Sequence, residues 1–229
     1  MNLLAFDTST EYLSLAITRD NAVFNYDVLA GQTHSQIILP QIQQLLSQAG
    51  LQLQDLDGLA FGAGPGSFTG VRIAAGVAQG LGFGANLLVV GVCTLMALAE
   101  ASAASKVIAC LDARMGEVYH AVYVKEADGW QAAIAPGLYK PDAVPAVDGD
   151  DWVGVGSGWQ TYGDVLADAY RGQLLATQPH LLPVASAVLA LARPIFAAGE
   201  AKSAEHAMPI YIRNRVALKT AEREQGLRL

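Results

Sequence analysis

The same order of secondary-structure patterns occurs twice along the sequence, first up to about Ala104 and again from Lys106. The strand-like run LLAFD of the first part corresponds to IACLD of the second, and FGAGPGSFTG corresponds to GVGSGWQTYG. Such internal similarity is typical of a duplicated structural unit. We therefore predict two related domains, residues 1–104 and 105–229, rather than one continuous sheet.

Hairpins come first in each unit, and crossover helices follow. Strands joined by short turns pair antiparallel, whereas parallel neighbours need a crossover connection. The first unit has strand patterns at 2–7, 12–18, 22–29, 57–63 and 86–92, and helix patterns at 35–49, at 69–83 and up to about Ala104. Ser35 is the expected N-cap of the first helix, and Gly50 is expected to end it. The predicted fold class is α/β, with duplicated βββαβα units.

Composition excludes several classes of protein. Hydrophobic residues make up 52% of the chain and charged residues 15%, against about 25% charged in an average soluble domain, which favours a compact globule over disorder. The N-terminal apolar run meets Asp7 with no basic segment before it, and no clean apolar stretch of about 20 residues occurs. We expect no signal peptide, no membrane contact and a cytoplasmic protein. Cys93 and Cys110 lie in apolar runs without CxxC spacing, so we expect buried, reduced thiols.

Charge is nearly absent from one long region. Between Val28 and Ala99, which is 72 residues, the only charged side chains are Asp55, Asp57 and Arg72, where average composition would supply about 18. Depletion of ions is typical of the centre of a protein interface. The alternative is that this chain simply uses Gln and Ala on a solvent-exposed surface.

Two predicted helices carry most of this uncharged surface. At about 100° per residue, the apolar stripe of the helix at 35–49 spans roughly 120° and should pack on the sheet. The members of this stripe are Ile38, Leu39, Ile42, Leu45, Leu46 and Ala49. The opposite face is rich in Gln, and the helix at 69–83 is small or apolar nearly all round. Both helices are therefore candidates for contact with another protein.

Two loops contain residues that could surround a phosphate. The first strand-to-strand turn follows Asp7 and offers hydroxyl and N–H groups, while the loop GAGPGSFTG lies between a strand and a helix, where free N–H groups attract anions. The candidate phosphate contacts are Asp7, Thr8, Ser9, Gly64, Gly66, Ser67 and, in the second unit, Asp112. The alternatives are a turn that bonds its own backbone and glycines that only allow close packing.

The sequence lacks the usual catalytic patterns. GAGPGSFTG is neither a Walker A loop, because no GK[ST] follows, nor a GxGxxG motif, and no GxSxG motif occurs. The four histidines are His34, His120, His180 and His206, and none stand four apart as a zinc-binding helix pair requires. A nuclease would need clustered carboxylates, whereas those after Asp7 are scattered. We predict no catalytic residue and no metal site.

Five segments together resemble the TsaB family, also called YeaZ. They are FDTSTEYLSLAI, HSQIILPQI, GAGPGSFTGVRIAAGVAQGL, LDARMGEVYHAVY and PIYIRN, and the resemblance runs nearly from end to end. It implies two ribonuclease-H-like domains of the actin, sugar-kinase and Hsp70 (ASKHA) superfamily, which agrees with the duplication. TsaB-like proteins bind the catalytic paralogue TsaD, together with the ATPase TsaE. The complex transfers threonylcarbamoyl to N6 of adenosine 37 in tRNAs that decode codons beginning with A.

The resemblance also implies where partners bind. In the family, the first two helices of the first domain meet TsaD, or a second TsaB as a homodimer when TsaD is missing. The implied contact residues of this chain are Gln36, Gln43, Gln44, Ser47, Arg72, Ala75, Gly76 and Gln79. TsaD carries a metal-binding histidine pair, whereas this chain reads GVCTLMALAE after its second helix. Catalysis is therefore not carried over, and a non-catalytic scaffold is expected.

Other functions stay open at this point. Asp7 and Asp112 facing one cleft would suit an ATP-binding or ATP-hydrolysing enzyme, although the turn after Asp7 lacks the glycine usual in actin-like ATPases. A peptidase would need metal ligands that the sequence does not offer. No cofactor is expected to bind tightly to this chain alone, but ATP or ADP could lie between subunits. The basic residues of the C-terminal tail are Arg213, Arg215, Lys219, Arg223 and Arg228. These residues could contact tRNA, and the alternative is a solvated tail that binds nothing.

Overall fold

Two five-stranded mixed sheets organise the computed structural model, which describes residues 1–20 and 22–213. The strands are β1 (Leu3–Asp7), β2 (Tyr12–Arg19), β3 (Ala22–Leu29), β4 (Gly58–Gly64), β5 (Leu88–Cys93), β6 (Lys106–Arg114), β7 (Glu117–Glu126), β8 (Gly129–Tyr139), β9 (Trp152–Val155) and β10 (Leu174–Gln178). The α-helices are α1 (His34–Ala49), α2 (Phe68–Ala85), α3 (Thr94–Ala101), α4 (Ser157–Ala169) and α5 (Ala185–Ala197). Of the predicted basic tail, Arg213 is described and the other four residues lie outside the described part.

The two sheets have the same strand order. The first runs β3-β2-β1-β4-β5, and the second runs β8-β7-β6-β9-β10. In each, the first three strands in chain order form an antiparallel meander, and the last two add in parallel beside the central strand. Hairpins produce the antiparallel pairs and crossover connections produce the parallel ones. The prediction of duplicated, ribonuclease-H-like α/β units is confirmed.

The connection that contains α1 in the first unit is different in the second. Residues 140–151, between β8 and β9, form a short 3-10 turn at Pro141–Ala143 and irregular chain. Pro141 and Pro145 lack backbone donors, and Gly149 has a φ of 77°, both of which disfavour a helix. The second unit therefore has a shorter connection at this point than the βββαβα pattern predicts.

The helices form layers on both faces of each sheet. One face of the first sheet packs against α1 and α2, and the opposite face packs against α5. The second sheet packs against α4 on one face and α3 on the other, and α3 contacts α5. We call the first sheet with α1, α2 and α5 the first lobe, and the second sheet with α3 and α4 the second lobe. Each lobe thus takes one helix from the other half of the chain, while the boundary at 104/105 stays a prediction.

Helix ends differ slightly from those predicted. Thr33, not Ser35, is the N-cap of α1, and its hydroxyl makes no cap bond but donates to the carbonyl oxygen of Ala30 at 2.8 Å. Gly50 is confirmed as the C-cap, with a left-handed φ of 64°. No helix in residues 1–20 and 22–213 is long and apolar enough to cross a bilayer. Both cysteines are free thiols, with Cys110 buried and Cys93 partly exposed.

Candidate functional site

A cleft of about 980 Å³ lies between the two lobes. It is lined by the turns that follow β1 and β6, by the loops that lead from β4 into α2 and from β9 into α4, and by residues 210–213. These turns and loops follow the carboxyl ends of central strands, which is the usual ligand-binding edge of an open α/β sheet. The duplication thus places equivalent loops of the two lobes opposite each other.

The candidate phosphate contacts divide into two groups. Ser9, Gly66, Ser67 and Asp112 line the cleft. Asp7, Thr8 and Gly64 lie behind its surface and are buried. The structure therefore brings the two predicted loops and the turn of the second lobe together around one space, but it keeps the first aspartate out of that space.

The turn after β1 uses its polar groups internally. The N–H and hydroxyl groups of Ser9 both donate to Oδ1 of Asp7, at 2.7 and 2.6 Å. The carbonyl oxygen of Ser9 accepts from the N–H of Ser67 at 2.7 Å, and the hydroxyl of Thr8 donates to the carbonyl oxygen of Gly70 at 2.7 Å. Asp112 likewise accepts from the N–H of Arg114 at 2.8 Å. Because these groups are already paired, the arrangement favours structural turns over a phosphate site.

Glycines let the turn after β1 touch the start of α2. A Cβ added at Gly66 would lie 2.6 Å from the carbonyl oxygen of Ser9, and one added at Gly70 would lie 1.8 Å from the carbonyl oxygen of Thr8. Both neighbours are backbone atoms, which cannot move without shifting the turn. The loop between β4 and α2 therefore determines where α2 begins relative to the sheet.

Asp7 is an unusual carboxyl group. Burial raises its pKa from 3.8 to about 6, and the two hydrogen bonds from Ser9 and the charge of His34 offset this only in part. No group of the described residues forms a hydrogen bond with its Oδ2. Within residues 1–20 and 22–213, no three His, Cys, Asp or Glu side chains lie close enough to hold a metal ion. The described residues around Asp7 thus offer no metal ligand set.

Residues 207–213 contact both lobes, and residues 210–213 line the cleft. On the first lobe, the N–H of Ile210 donates to the carbonyl oxygen of Ala63 at 2.8 Å. On the second lobe, the guanidinium of Arg213 lies 2.7 Å from the Glu117 carboxylate and donates to the carbonyl oxygen of Ala113 at 3.1 Å. We call this segment the strap. The strap forms part of the wall of the cleft, and its contacts connect the first lobe with the hairpin of β6 and β7.

Arg213→Ala tests whether the strap stabilises the fold. We expect a loss of about 1.5 kcal/mol in unfolding free energy, measured by urea denaturation, because the Arg213 and Glu117 side chains are only 11% and 29% exposed. Arg171→Ala is the matched control, since its ion pair with Asp168 is 82% and 65% exposed and should contribute nothing measurable. Equal denaturation midpoints for the Arg213 variant and the wild type would contradict this role.

The outer face of the first lobe contains most of the predicted partner contacts. Gln36, Gln43, Gln44, Ser47, Arg72 and Gly76 are exposed. Gln79 is partly buried, and its Nε2 donates to the carbonyl oxygen of Ala207 at 3.0 Å. Ala75 is 4% exposed and packs in the first core, so it is not on this face. We define the outer face as the exposed residues of α1 and α2.

Sequence reasoning identified Gly76 but missed Leu39, Gly80 and Gly84 as residues of this face. Leu39, placed in the buried stripe, is 51% exposed because it lies at the margin of the apolar arc. Gly76, Gly80 and Gly84 follow one another at intervals of four on α2, and a Cβ added at any of them would meet no atom within 4 Å. This spacing is visible in the sequence and could have identified the face. The outer face therefore combines exposed apolar side chains with a bare strip of helix backbone.

Comparisons with known proteins agree over both lobes. A family model described as "TsaD: tRNA N6-adenosine threonylcarbamoyltransferase" matches residues 27–217. "tRNA threonylcarbamoyladenosine biosynthesis protein TsaB" of Escherichia coli (strain K12) is 42% identical over 228 residues, covering 96% of this chain and 97% of the relative. The protein of the same description from Haemophilus influenzae is 39% identical and covers 96% of both chains. The solved structure "YeaZ from Pseudomonas aeruginosa" is 38% identical with a TM-score of 0.85, covering 92% of this chain and 99% of its own.

Proposed function

This chain belongs to the TsaB family, whose relatives are described as tRNA threonylcarbamoyladenosine biosynthesis proteins, and from this we propose that it is the non-catalytic partner subunit of that pathway. It binds a TsaD subunit through the outer face of α1 and α2, and the TsaD subunit performs the transfer of threonylcarbamoyl to N6 of adenosine 37. The complex acts in the cytoplasm on tRNAs that read codons beginning with A. The complex also recruits TsaE.

The outer face is the observation that supports this proposal. Its exposed residues include no charged side chain except Arg72, although they lie on two helices of 16 and 18 residues. Ordinary exposed helices carry ions on the solvent side. The bare backbone at Gly76, Gly80 and Gly84 lets another helix approach closely. An uncharged, closely approachable helix pair fits an interface that is covered in the working complex.

The paired groups around the cleft argue against a separate ATPase. The N–H and hydroxyl donors of Ser9 in the turn after β1 bind Asp7, so they are not free to bind a phosphate. Three features remain predictions of the family resemblance. They are a nucleotide between this chain and its partner, contact of tRNA with the complex, and self-association of the chain in isolation. We propose that self-association uses the same outer face and competes with TsaD.

Gly76→Glu tests the interface directly. Mixed with TsaD from the same organism, the variant should bind at least a hundredfold more weakly by isothermal titration calorimetry, because a carboxylate would be buried without a partner. Modification of tRNA by the reconstituted complex should fall in proportion. The fold should persist, since an added Cβ meets nothing within 4 Å and Glu favours helix more than Gly does.

Gly163→Glu is the matched control for this test. Gly163 lies in α4 of the second lobe, where an added Cβ also meets nothing within 4 Å. This variant should bind TsaD like the wild type. Normal binding by the Gly76 variant, or equal losses in both variants, would rule out the outer face as the interface.

A further inference from the structure

The strap adds exposed side chains to the end of the outer face that contains the first turn of α2. Phe68 and Tyr211 are each 50% exposed, and Met208 is 60% exposed. Between the two aromatic rings lies Arg72, whose guanidinium carbon is 3.3 Å from the ring centroid of Phe68 and 5.0 Å from that of Tyr211. We name these four residues the aromatic–arginine patch. We propose that Met208 and Tyr211 of this patch extend the contact surface for the TsaD subunit beyond α1 and α2, an inference that rests on the function proposed above.

The patch is held in place from beneath. Gln79 of α2 donates through Nε2 to the carbonyl oxygen of Ala207 at 3.0 Å and lies 3.8 Å from the sulfur of Met208. The N–H of Ile210 is bonded to the carbonyl oxygen of Ala63. The backbone on both sides of Met208 and Tyr211 is therefore anchored. Binding loses less conformational entropy when the contacting side chains project from a fixed backbone.

The residue types of the patch are those that carry binding energy in protein interfaces. Aromatic residues, Met and Arg are enriched in interfaces, and Tyr and Arg are enriched among hot spots. The two aromatic rings and a hydrogen bond from Nη1 to the carbonyl oxygen of Phe68, at 3.2 Å, orient the exposed Arg72 guanidinium. Three large apolar side chains in one place are also more costly in water than the same residues scattered singly. The exposed apolar area and the residue types of the patch therefore both favour its burial against a protein partner.

The patch is continuous with the helices of the outer face, because Phe68 and Arg72 belong to α2 itself. Met208 lies beside Gln79 of the same helix, and Tyr211 lies beside Arg72. A partner that covers α1 and α2 would therefore also meet these two side chains of the strap.

A protein partner fits the chemistry better than RNA does. Recognition of an RNA backbone relies on several cations that meet phosphates. The patch contains one cation, Arg72, which is already stacked between two rings. From residue 207 to 212 the strap reads AMPIYI and carries no charge. Residues 207–212 of the strap, which are uncharged, lie beside a helix face whose one charged side chain is Arg72, and this suits the same related subunit that covers α1 and α2.

Tyr211→Ala provides the test. Titrated with TsaD in a calorimeter, this variant should bind about tenfold more weakly, while Tyr211→Phe, which keeps the ring, should stay within twofold of the wild type. Leu175→Ala is the control, because Leu175 is an apolar residue that is 68% exposed on β10 of the second lobe and should not affect binding. Met208→Ala gives a second, independent loss if the Tyr211 variant folds poorly.

Other outcomes would overturn the inference. Binding of TsaD within twofold of the wild type by both the Tyr211→Ala and the Met208→Ala variants would remove the patch from the interface. A change confined to self-association in sedimentation velocity would assign the patch to a second copy, and a change confined to tRNA affinity would assign it to RNA. If Gly76→Glu abolishes binding and these variants do not, the patch is excluded and the proposed function stands. If Gly76→Glu binds normally, the proposed function itself fails.

Discussion

Gly70→Ala is expected to lower the unfolding free energy by about 4 kcal/mol or to prevent folding. The new Cβ would lie 1.8 Å from the carbonyl oxygen of Thr8, and a backbone atom cannot turn away as a side chain can. Separating the two segments also breaks the bond from the Thr8 hydroxyl to the carbonyl oxygen of Gly70. Urea denaturation followed by circular dichroism measures the effect, and soluble yield reports a failure to fold.

Gly80→Ala, on the same helix, is the matched control for this prediction. An added Cβ at Gly80 meets nothing within 4 Å, so the substitution should stabilise the protein by about 0.5–1 kcal/mol through helix propensity alone. Opposite signs at the two positions would establish that close approach, not helix propensity, requires Gly70. A Gly70→Ala variant as stable as the wild type would show that the turn after β1 moves aside without cost.

Asp7 is expected to make the protein less stable as pH rises from about 4 to 6. In the unfolded chain its pKa is 3.8 and in the folded protein it is about 6, so the folded state binds more protons in this range. Stability decreases with rising pH wherever the folded state holds the extra proton. At about 1.4 kcal/mol per pKa unit, the ionised carboxylate costs about 3 kcal/mol above pH 7. This sign is opposite to that of a carboxylate held by a salt bridge.

Asp7→Asn removes this titration. The stability difference between the variant and the wild type should shift in favour of the variant by about 2 kcal/mol from pH 4 to pH 8, measured by denaturation at each pH. Asp20→Asn is the control, because the Asp20 side chain is 91% exposed and its φ of 56° suits Asn. A stability difference that does not change with pH would mean that Asp7 is not desolvated as the structure indicates.

The parts of the fold that depend on short stretches of sequence could be predicted. Hairpin turns and crossover helices are read within short stretches of sequence, so the order of β1 to β5 and its repetition in β6 to β9 were predictable. Neither β10 nor α5 was predicted. Strand β10 is a short edge strand, and whether α5 covers the first or the second sheet depends on surfaces distant in sequence. Propensity and periodicity carry no information on that choice.

The candidate site was predictable in part for the same reason. The lack of charge on α1 and α2 is a property of composition, and the sequence revealed it directly. The phase of each helix was not determined closely enough, so Ala75 was expected on the surface and Leu39 in the core, whereas the reverse holds. Adjacent residues of a helix are about 100° apart around its axis, so a small error in the predicted phase moves a residue from the buried side to the exposed side.

The sequence alone determined the duplicated succession of strands along the chain and the helix pair with few charges, because both depend on neighbours within one element or one connection. The tertiary structure decided that α3 and α5 each cover a sheet of the other half, that the strap brings Tyr211 to Arg72, and that Gly66 and Gly70 serve close packing. These features join residues far apart in the chain. Their free energy comes from packing and burial summed over surfaces that exist only after folding, so no local pattern encodes them.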